Sequence, residues 1–239
     1  MLEFPSFPQS GNPEKIMNTA LNIEQARFNM VEQQIRLWEV LNQEILDLLY
    51  LLHREKFVPQ AYRALAFCDL EIPLGDQPSE RMWAPRVEAR VLQNLNLTKT
   101  DRILEVGTGS GYFSALLAHC AGRVFSVEIN SSLARLGEAN LAAEGIDNVT
   151  VENDDAARGW PRHAPYDVIV LTASTPVVPE SMLEQIKPGG RLFAIVGDEP
   201  VMSARILSRD AAGSFVPKEL FETCFAPLAN ALQPARFQF

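Results

Sequence analysis

Acidic side chains accompany three successive hydrophobic runs in the middle of this chain. Glu105 precedes a glycine-rich turn by two residues, Glu128 ends the second run, and Asp154 and Asp155 follow the third. An acid before the turn would repel a pyrophosphate but suits a cation or an ammonium donor. An acid at the tip of the second strand can accept hydrogen bonds from both ribose hydroxyls. An acid after the third strand can accept one from an adenine amino group.

The glycine-rich turn contains Gly107, Gly109 and Gly111 and leads into a predicted helix at Tyr112. Glycine permits positive φ, and without a Cβ it lets a ligand approach the main chain closely. The following helix N-terminus favours hydrogen-bond acceptors or negative charge on that ligand. A dinucleotide-binding turn, Gly-x-Gly-x-x-Gly, requires a further glycine where this chain has Tyr112. We therefore predict a nucleoside site and not a dinucleotide site.

Three carboxylates at successive strand ends, with no phosphate-binding lysine, predict S-adenosyl-L-methionine, a zwitterionic nucleoside without phosphate. We assign Glu105 and the glycine turn to the methionine half, Glu128 to the ribose, and Asp155 with Ala156 to the adenine. Tyr112 either packs on the cofactor or is an ordinary core aromatic, and Glu105 could also serve as a partner within the turn. The predicted cofactor-binding residues are Glu105, Gly107, Thr108, Gly109, Gly111, Tyr112, Glu128, Asp155 and Ala156.

Alternating strand and helix patterns position these residues. The predicted strands are 102–106, 123–128, 149–153, 166–171 and 191–196, and the predicted helices between them are 111–121, 131–143 and 181–186. Such alternation specifies an α/β fold with a mainly parallel sheet. Residues 187–190 are predicted to turn, and 201–208 and 219–226 to form antiparallel edge strands. A ligand should then lie at the carboxyl ends of the first three strands.

The residues before this region predict a helical subdomain. Residues 1–18 resemble a loosely ordered arm, and helical spacing begins at Asn22 and resumes from Leu41 to Leu52. Residues 67–85 are rich in proline and predict an extended loop, and a third helix should begin at Pro85. The predicted organisation is thus an arm, a helical subdomain with a substrate-side loop over 19–98, and a Rossmann-like domain over 99–239.

Composition limits the classes of partner. A net charge of −9 argues against a nucleic-acid or anionic-membrane surface. Cys68, Cys120 and Cys224 are widely spaced, which is typical of reduced thiols in a cytoplasmic protein, and we predict no structural metal. The apolar run 48–52 is too short to span a bilayer, and Met1-Leu-Glu-Phe-Pro lacks the pattern of a signal peptide. We expect a soluble protein.

Several segments follow one another in an order known from one enzyme family. They are Asn29-Met-Val-Glu-Gln-Gln-Ile-Arg36, Arg54-Glu-Lys-Phe-Val-Pro59, Tyr62-Arg-Ala-Leu-Ala66, Ile72-Pro-Leu-Gly75, Leu104-Glu-Val-Gly-Thr-Gly-Ser-Gly-Tyr112, Ala164-Pro-Tyr-Asp-Val-Ile169, Leu183-Glu-Gln-Ile-Lys-Pro-Gly-Gly-Arg-Leu192 and Phe225-Ala-Pro-Leu228. In these segments and their order, the chain resembles the protein-L-isoaspartate (D-aspartate) O-methyltransferase family. The resemblance implies a Rossmann-like S-adenosylmethionine-dependent methyltransferase fold and methylation of isoaspartyl carboxylates in damaged proteins or peptides.

The chain departs from the family at the substrate side. Where the family has Gly-Gln-Thr-x-Ser-x-Pro, this chain has Ser79-Glu-Arg-Met-Trp-Ala-Pro85, which puts Trp83 at the position of the family's transfer-site serine. Asp154-Asp-Ala156 replaces the family's Gly-Asp-Gly. The cofactor part of the resemblance is thus intact, and the substrate part is changed.

The substrate-side candidates are Trp83, which could line the pocket, and Thr172, Ala173 and Ser174, whose main chain could donate to an acceptor carboxylate. A carboxylate with a pKa of roughly 4 arrives ionised and needs no general base, which agrees with the scarcity of histidines. Three hypotheses follow: an isoaspartyl carboxyl methyltransferase, a methyltransferase with the same cofactor and another acceptor, and a non-catalytic cofactor-binding relative.

Overall fold

The computed structural model describes residues 22–234, and its centre is a seven-stranded sheet in the order β5-β4-β3-β6-β7-β8-β9. These strands are β3 (Arg102–Val106), β4 (Arg123–Glu128), β5 (Val149–Asn153), β6 (Tyr166–Thr175), β7 (Ile186–Asp198), β8 (Val201–Arg209) and β9 (Phe215–Thr223). Strands β3 to β7 pair in parallel, and β8 and β9 add antiparallel pairs at one edge. The predicted α/β class and the mainly parallel sheet are confirmed.

The chain reverses its direction of winding beside β3. Strands β4 and β5 lie on one side of β3, and β6 lies on the other. In an open sheet the crevice outside the carboxyl ends of the strands at such a reversal is the usual place for a ligand. The fold therefore puts the glycine-rich turn after β3 at the centre of that crevice.

Helices cover the sheet and build the region before it. They are α1 (22–29, continuing as a π-helix over Met30–Ile35 and a 3-10 turn over Arg36–Trp38), α2 (Gln43–Leu51), α3 (Pro85–Leu95), α4 (Tyr112–Cys120), α5 (Ser131–Ala143) and α6 (Glu180–Leu183). Asn42 caps α2 by accepting hydrogen bonds from the N–H groups of Glu44 and Ile45. Pro85 occupies the first turn of α3, as predicted.

The predicted turn at 187–190 is wrong, and so is the extent of the helix before it. Helix α6 ends at Leu183, and β7 already begins at Ile186, which pairs with Tyr166. The next aligned pair joins Val168 to Arg191, so the residues between Ile186 and Arg191 form a bulge within β7. Strand pairing on both sides of the bulge outweighs the local turn preference of Pro188-Gly189-Gly190.

The predicted loop 67–85 contains a small antiparallel hairpin, formed by β1 (Ile72–Pro73) and β2 (Arg81–Met82). Ile72 and Met82 are paired and buried, whereas residues 75–79 between the strands are exposed. Two-residue strands leave no detectable alternation in the sequence. The last strand was predicted at 219–226 and lies at Phe215–Thr223 because its register is set by pairing with β8.

Within residues 22–234, the core consists of two hydrophobic clusters. Alternate residues of β3 enter different clusters, Ile103 on the side of α4 and the N-terminal helices and Leu104 on the opposite side. The first cluster runs without a break from Met30 through α3 to Phe193 of β7. The N-terminal helices thus share a core with the sheet. The proposed domain division at residue 98 stays a prediction, and the predicted arm lies outside the described residues.

Candidate cofactor and acceptor site

A cleft opens at the carboxyl ends of β3 to β6, between the strand tips and the β1–β2 hairpin. Its empty volume is about 1010 Å³, solvent at its mouth included, which is at the upper end for a small-molecule site. Its acidic lining residues are Glu80, Glu88, Glu128, Asp154 and Asp155, and among residues 22–234 a single guanidinium, that of Arg81, lines it as well. The excess of carboxylates favours a ligand that carries positive charge.

The glycine turn, residues 107–111, is held against both neighbouring strands. The N–H of Gly107 donates to the carbonyl of Val127 at 2.8 Å, and the Thr172 hydroxyl donates to the carbonyl of Gly107 at 3.0 Å. Gly107 has φ +101°, and a Cβ there would lie 2.1 Å from the Thr172 hydroxyl oxygen. Only glycine meets both constraints without strain. The turn therefore presents bare main chain to the cleft.

Glu128 occupies the tip of β4 as predicted and lines the cleft. One carboxylate oxygen accepts from the N–H of Gly109, and the other accepts from the N–H of Asn130, both at 3.0 Å. Each oxygen keeps a further acceptor position for a ligand. The two main-chain contacts fix the carboxylate between the glycine turn and the start of α5.

Asp155 and Ala156 follow β5 and also line the cleft. The Asp155 carboxylate accepts from the N–H of Ala157 at 2.9 Å and from the side-chain amide of Asn230 at 2.8 Å. Asp154, which lines the cleft as well, accepts from the N–H of Asp155 at 2.8 Å. The two acids assigned to the nucleoside half, Glu128 and Asp155, therefore stand at neighbouring strand ends.

Glu105 is fully buried and does not line the cleft. One of its oxygens accepts from the hydroxyls of Ser114 on α4 and Ser126 on β4, the latter at 2.7 Å. Its other oxygen has no hydrogen-bond partner within residues 22–234. Burial raises the pKa of Glu105 to about 7, although both serine hydrogen bonds act in the opposite direction. Glu105 therefore joins β3 to α4 and β4 in the core.

Three more predicted residues lie behind the lining. Gly111 precedes α4, and a Cβ there would meet the carbonyl oxygen of Gly137 at 2.9 Å. The Tyr112 ring packs edge-on against Phe57, with ring centres 5.3 Å apart, in the core. The Ser174 hydroxyl is buried and donates to the carbonyl of Phe225 at 2.8 Å. Thr108, by contrast, reaches the cleft with the glycine turn.

Trp83 forms part of the cleft wall and is only 5% exposed. Its indole N–H donates to the carbonyl of Thr172 at 2.8 Å, which ties the wall to β6. The ring packs against Phe113, Phe193 and Phe225, with ring centres 5.2 to 6.0 Å apart. Thr172 and Ala173 line the cleft beside it. The position that holds a serine in the family is thus filled by a packed aromatic side chain.

Sequence reasoning missed Glu88, which lines the cleft although it is 1% exposed. It forms a buried ion pair with Arg54. Burial raises the pKa of Glu88 to about 8, and the Arg54 guanidinium counteracts part of that rise. A signal was present, because Glu88 lies three, four and seven residues before the apolar positions Val91, Leu92 and Leu95, on the buried face of α3. An acid on that face needs a partner or a function.

Arg54 was also missed as a structural centre. Its Nε donates to the carbonyl of Ala66 at 3.0 Å, one terminal nitrogen pairs with Glu88, and the other donates to the carbonyl of Trp83 at 2.5 Å. The guanidinium also lies over the Tyr112 ring, 5.1 Å from its centre. One side chain thus joins the N-terminal region, the cleft wall and the first residue of α4.

The β1–β2 hairpin covers the glycine turn. Leu74 approaches Gly109 closely, because a Cβ on Gly109 would lie 3.0 Å from the Leu74 methyl carbon. Glu80 accepts from the side-chain amide of Asn130 at 2.6 Å and from the N–H of Gln77 at 3.0 Å. These hydrogen bonds lower the pKa of Glu80. The hairpin is therefore latched to the loop that follows β4.

No group of three or more His, Cys, Asp or Glu side chains within residues 22–234 could hold a metal ion. No helix in the same range has the length and apolar character needed to cross a membrane.

Comparison with known proteins gives a consistent result. The family model described as Protein-L-isoaspartate(D-aspartate) O-methyltransferase matches residues 25–233. The chain is 39% identical over 178 residues to protein-L-isoaspartate O-methyltransferase 1 of Syntrophobacter fumaroxidans, which covers 74% of this chain and 82% of that relative. It is 38% identical over 203 residues to the protein-L-isoaspartate O-methyltransferase of Rhodopseudomonas palustris, covering 84% of this chain and 92% of the relative.

Solved structures agree. A protein-L-isoaspartate O-methyltransferase superimposes with a TM-score of 0.74 at 25% identity, over 85% of this chain and 66% of that one. A second structure is described as a putative protein-L-isoaspartate O-methyltransferase from Plasmodium falciparum in complex with S-adenosyl-L-homocysteine. It superimposes with a TM-score of 0.72 at 18% identity, over 84% of this chain and 97% of that one. The latter shows the fold alone. The resemblance seen in the sequence motifs is confirmed, and the chain belongs to the protein-L-isoaspartate(D-aspartate) O-methyltransferase family.

Proposed function

We propose that this chain transfers the methyl group of S-adenosyl-L-methionine to the free carboxylate of isoaspartyl residues in proteins or peptides. As a member of its family, it is a methyltransferase that uses S-adenosyl-L-methionine. The observation that carries the proposal is the family match over residues 25–233, together with a cleft whose acids stand at the tips of β4 and β5. Among the acceptors considered from the sequence, the comparisons favour the isoaspartyl carboxylate.

The cleft fits the cofactor in charge and shape. S-adenosyl-L-methionine carries a sulfonium and an ammonium group against one carboxylate, and five carboxylates line the cleft. The bare main chain of the glycine turn permits close approach. We assign Glu128 to the ribose, Asp155 with Ala156 to the adenine, and Gly107, Thr108 and Gly109 to the region beneath the sulfur. Glu105, Gly111 and Tyr112 would then act by holding the turn and α4 in place.

The acceptor would approach from the side of β6. Trp83, Thr172 and Ala173 line the cleft there, and the indole hydrogen bond to Thr172 keeps that wall closed. When bound, the cofactor supplies an electrophilic methyl group. The chain's contribution is to align the acceptor and exclude water. No histidine among residues 22–234 lines the cleft, and a carboxylate with a free pKa of roughly 4 needs no base to attack.

The substrate would be a protein or peptide bearing isoaspartate, and we place the enzyme in the cytoplasm. The free cysteines at positions 68, 120 and 224 support a reducing compartment. The net charge of −9 supports a partner other than nucleic acid or an anionic membrane.

A matched pair of peptides tests the proposal. The full-length protein is incubated with S-adenosyl-L-methionine and an isoaspartyl peptide, or with the aspartyl peptide of the same sequence. Formation of S-adenosyl-L-homocysteine is followed, since it does not depend on survival of the methyl ester. We expect turnover with the isoaspartyl peptide alone. Cofactor binding without turnover on either peptide would contradict the proposed acceptor.

A further inference from the structure

The only buried acid that combines contact with the cleft and a free oxygen, within the described residues, is Glu88. Glu105 is buried but lies outside the lining, and both oxygens of Glu128 already accept main-chain N–H groups. In Glu88 one oxygen is engaged by Arg54, and no donor within residues 22–234 reaches the other. The second oxygen of this otherwise buried carboxylate therefore offers an acceptor position to a ligand in the cleft.

The surroundings of Glu88 locate it at the methionine end. The nucleoside acids follow β4 and β5, so the amino-acid end of the cofactor must extend from the glycine turn towards β6. Glu88 stands on that side, because its partner Arg54 holds the carbonyl of Trp83 and covers the ring of Tyr112, the first residue of α4. The N-terminus of α4 suits the methionine carboxylate. The neighbouring ammonium group then needs an acceptor.

We propose that Glu88 binds the α-ammonium group of S-adenosyl-L-methionine with its free oxygen, while Arg54 holds the carboxylate in place. The inference rests on the cofactor of the proposed function and assigns to Glu88 the role that sequence spacing gave to Glu105. An ammonium group donates charge-assisted hydrogen bonds to a carboxylate. The free oxygen of Glu88 can accept one of them while Arg54 binds the other oxygen. The methionine end of the cofactor is thereby oriented before the acceptor arrives.

Binding of the ammonium should change the protonation of Glu88. The charged or titratable groups that face it are Arg54 from the 54–56 turn, Glu105 from β3 and Tyr112 from α4. Burial raises the pKa of Glu88 to about 8 against the opposing effect of Arg54, so near pH 7 the ion pair exchanges with a form in which Glu88 carries a proton. A cation beside the carboxylate lowers its pKa. Binding at pH 7 should therefore release a proton.

Two ligands and three variants test this assignment. The ligands are S-adenosyl-L-homocysteine and its analogue in which hydrogen replaces the α-amino group. Calorimetry with wild type and Glu88→Gln should show that the variant binds S-adenosyl-L-homocysteine about 10- to 100-fold more weakly, the usual effect of losing a charged hydrogen bond. The affinity of the variant for the analogue should equal that of wild type. A loss of affinity for S-adenosyl-L-homocysteine but not for the analogue assigns the interaction of Glu88 to the α-amino group, by the logic of a double-mutant cycle.

Glu55 offers a matched control outside the cleft. It forms an ion pair with Arg27 at 2.6 Å, as Glu88 does with Arg54, but it does not line the cleft. Glu55→Gln should bind both ligands like wild type. Glu128→Gln should weaken both ligands to the same extent, because its assigned partner is the ribose that they share.

A second measurement uses the wild-type protein alone. Titrations at pH 7 in buffers of different ionisation enthalpy should report proton release with S-adenosyl-L-homocysteine and none with the analogue. Equal weakening of both ligands in Glu88→Gln, or proton release that does not depend on the amino group, would overturn the role of Glu88. If wild type binds neither ligand, the proposed cofactor site itself is wrong, and the inference falls with it.

Discussion

The two sides of the cleft are held together by different kinds of contact. On the strand-tip side, main-chain N–H groups hold Glu128 and the glycine turn in place. The residues that donate them lie beside the ends of β3 and β4. On the hairpin side, Trp83 and Glu88 are fixed by side chains far away in sequence, above all Arg54 and the aromatic residues of α4 and β7. The strand-tip side depends on backbone geometry, and the hairpin side depends on packing.

Replacing Trp83 by Ser should have the largest effect. It restores the residue type of the family but removes a buried aromatic side chain, so the free energy of unfolding should fall by about 3–5 kcal/mol. Denaturant unfolding measures the change. Trp83→Phe keeps part of the packing but loses ring volume and the hydrogen bond to Thr172, which should cost about 1–3 kcal/mol. Wild-type stability in Trp83→Ser would show that the hairpin side does not depend on this packing.

Removing the carboxylate at the tip of β4 tests the other side. Glu128→Ala should weaken binding of S-adenosyl-L-homocysteine by about 1–3 kcal/mol, because a buried charged hydrogen-bond partner is lost. Glu138, an exposed acid of α5 outside the cleft, provides the control, and Glu138→Ala should bind normally. Equal affinities in the two variants, measured by calorimetry, would contradict the ribose assignment.

Glu105 should make stability depend on pH. Its folded pKa of about 7 exceeds the ordinary value of 4.5, so the folded state favours the protonated acid. The associated stability is fully present below pH 4.5 and is lost as the pH rises through about 7. Glu105→Gln imitates the protonated form. We expect nearly equal unfolding free energies at pH 4 and a wild type that is less stable than the variant by about 1–3 kcal/mol at pH 8. A difference in unfolding free energy between wild type and Glu105→Gln that stays constant across this pH range would refute the prediction.

The hairpin latch should have the smallest effect. Glu80→Ala removes the hydrogen bond to Asn130 at a partly exposed site, so affinity for S-adenosyl-L-homocysteine should fall by about 0.5–1 kcal/mol. The free energy of unfolding should stay almost constant. Glu80→Gln retains an acceptor for Asn130 and should bind like wild type. A large loss of stability in Glu80→Ala would mean that the hydrogen bond between Glu80 and Asn130 stabilises the fold as a whole and does not only hold the hairpin over the cleft.

The strand-tip side could largely be predicted from the sequence. Strands β3, β4 and β5 have the predicted bounds, since each combines an apolar run with a turn signal. Glu128 stands at the end of its strand, where a side chain reaches the ligand edge. Glu105 was assigned to the ligand by its distance from the glycines alone. It shares the helix-covered face of β3 with Ile103, because strand residues alternate between faces, and it therefore meets Ser114 and not the cleft.

The hairpin side could be predicted only in part. The helix beginning at Pro85 was identified, because proline at a first turn is a local signal. The contact that fixes Glu88 of this helix at the cleft comes from Arg54, 34 residues away. Trp83 and Thr172 are separated by 89 residues. No local pattern encodes such pairs, and two-residue strands such as β1 and β2 show no periodicity. These features emerge from tertiary packing.

The four contacts of Arg54 bear on any attempt to redesign acceptor choice. Its guanidinium binds the carbonyl of Ala66, the carbonyl of Trp83 and the carboxylate of Glu88, and it covers Tyr112. A segment 79–88 transplanted from a serine-bearing homologue would replace two of these partners, Trp83 and Glu88, and leave a buried cation without compensation. Exchange of acceptor specificity therefore requires a graft that includes residues 54–66 together with 79–88. The guanidinium of Arg54 and the carboxylate of Glu88 are then transferred as a pair, and neither charge is buried alone.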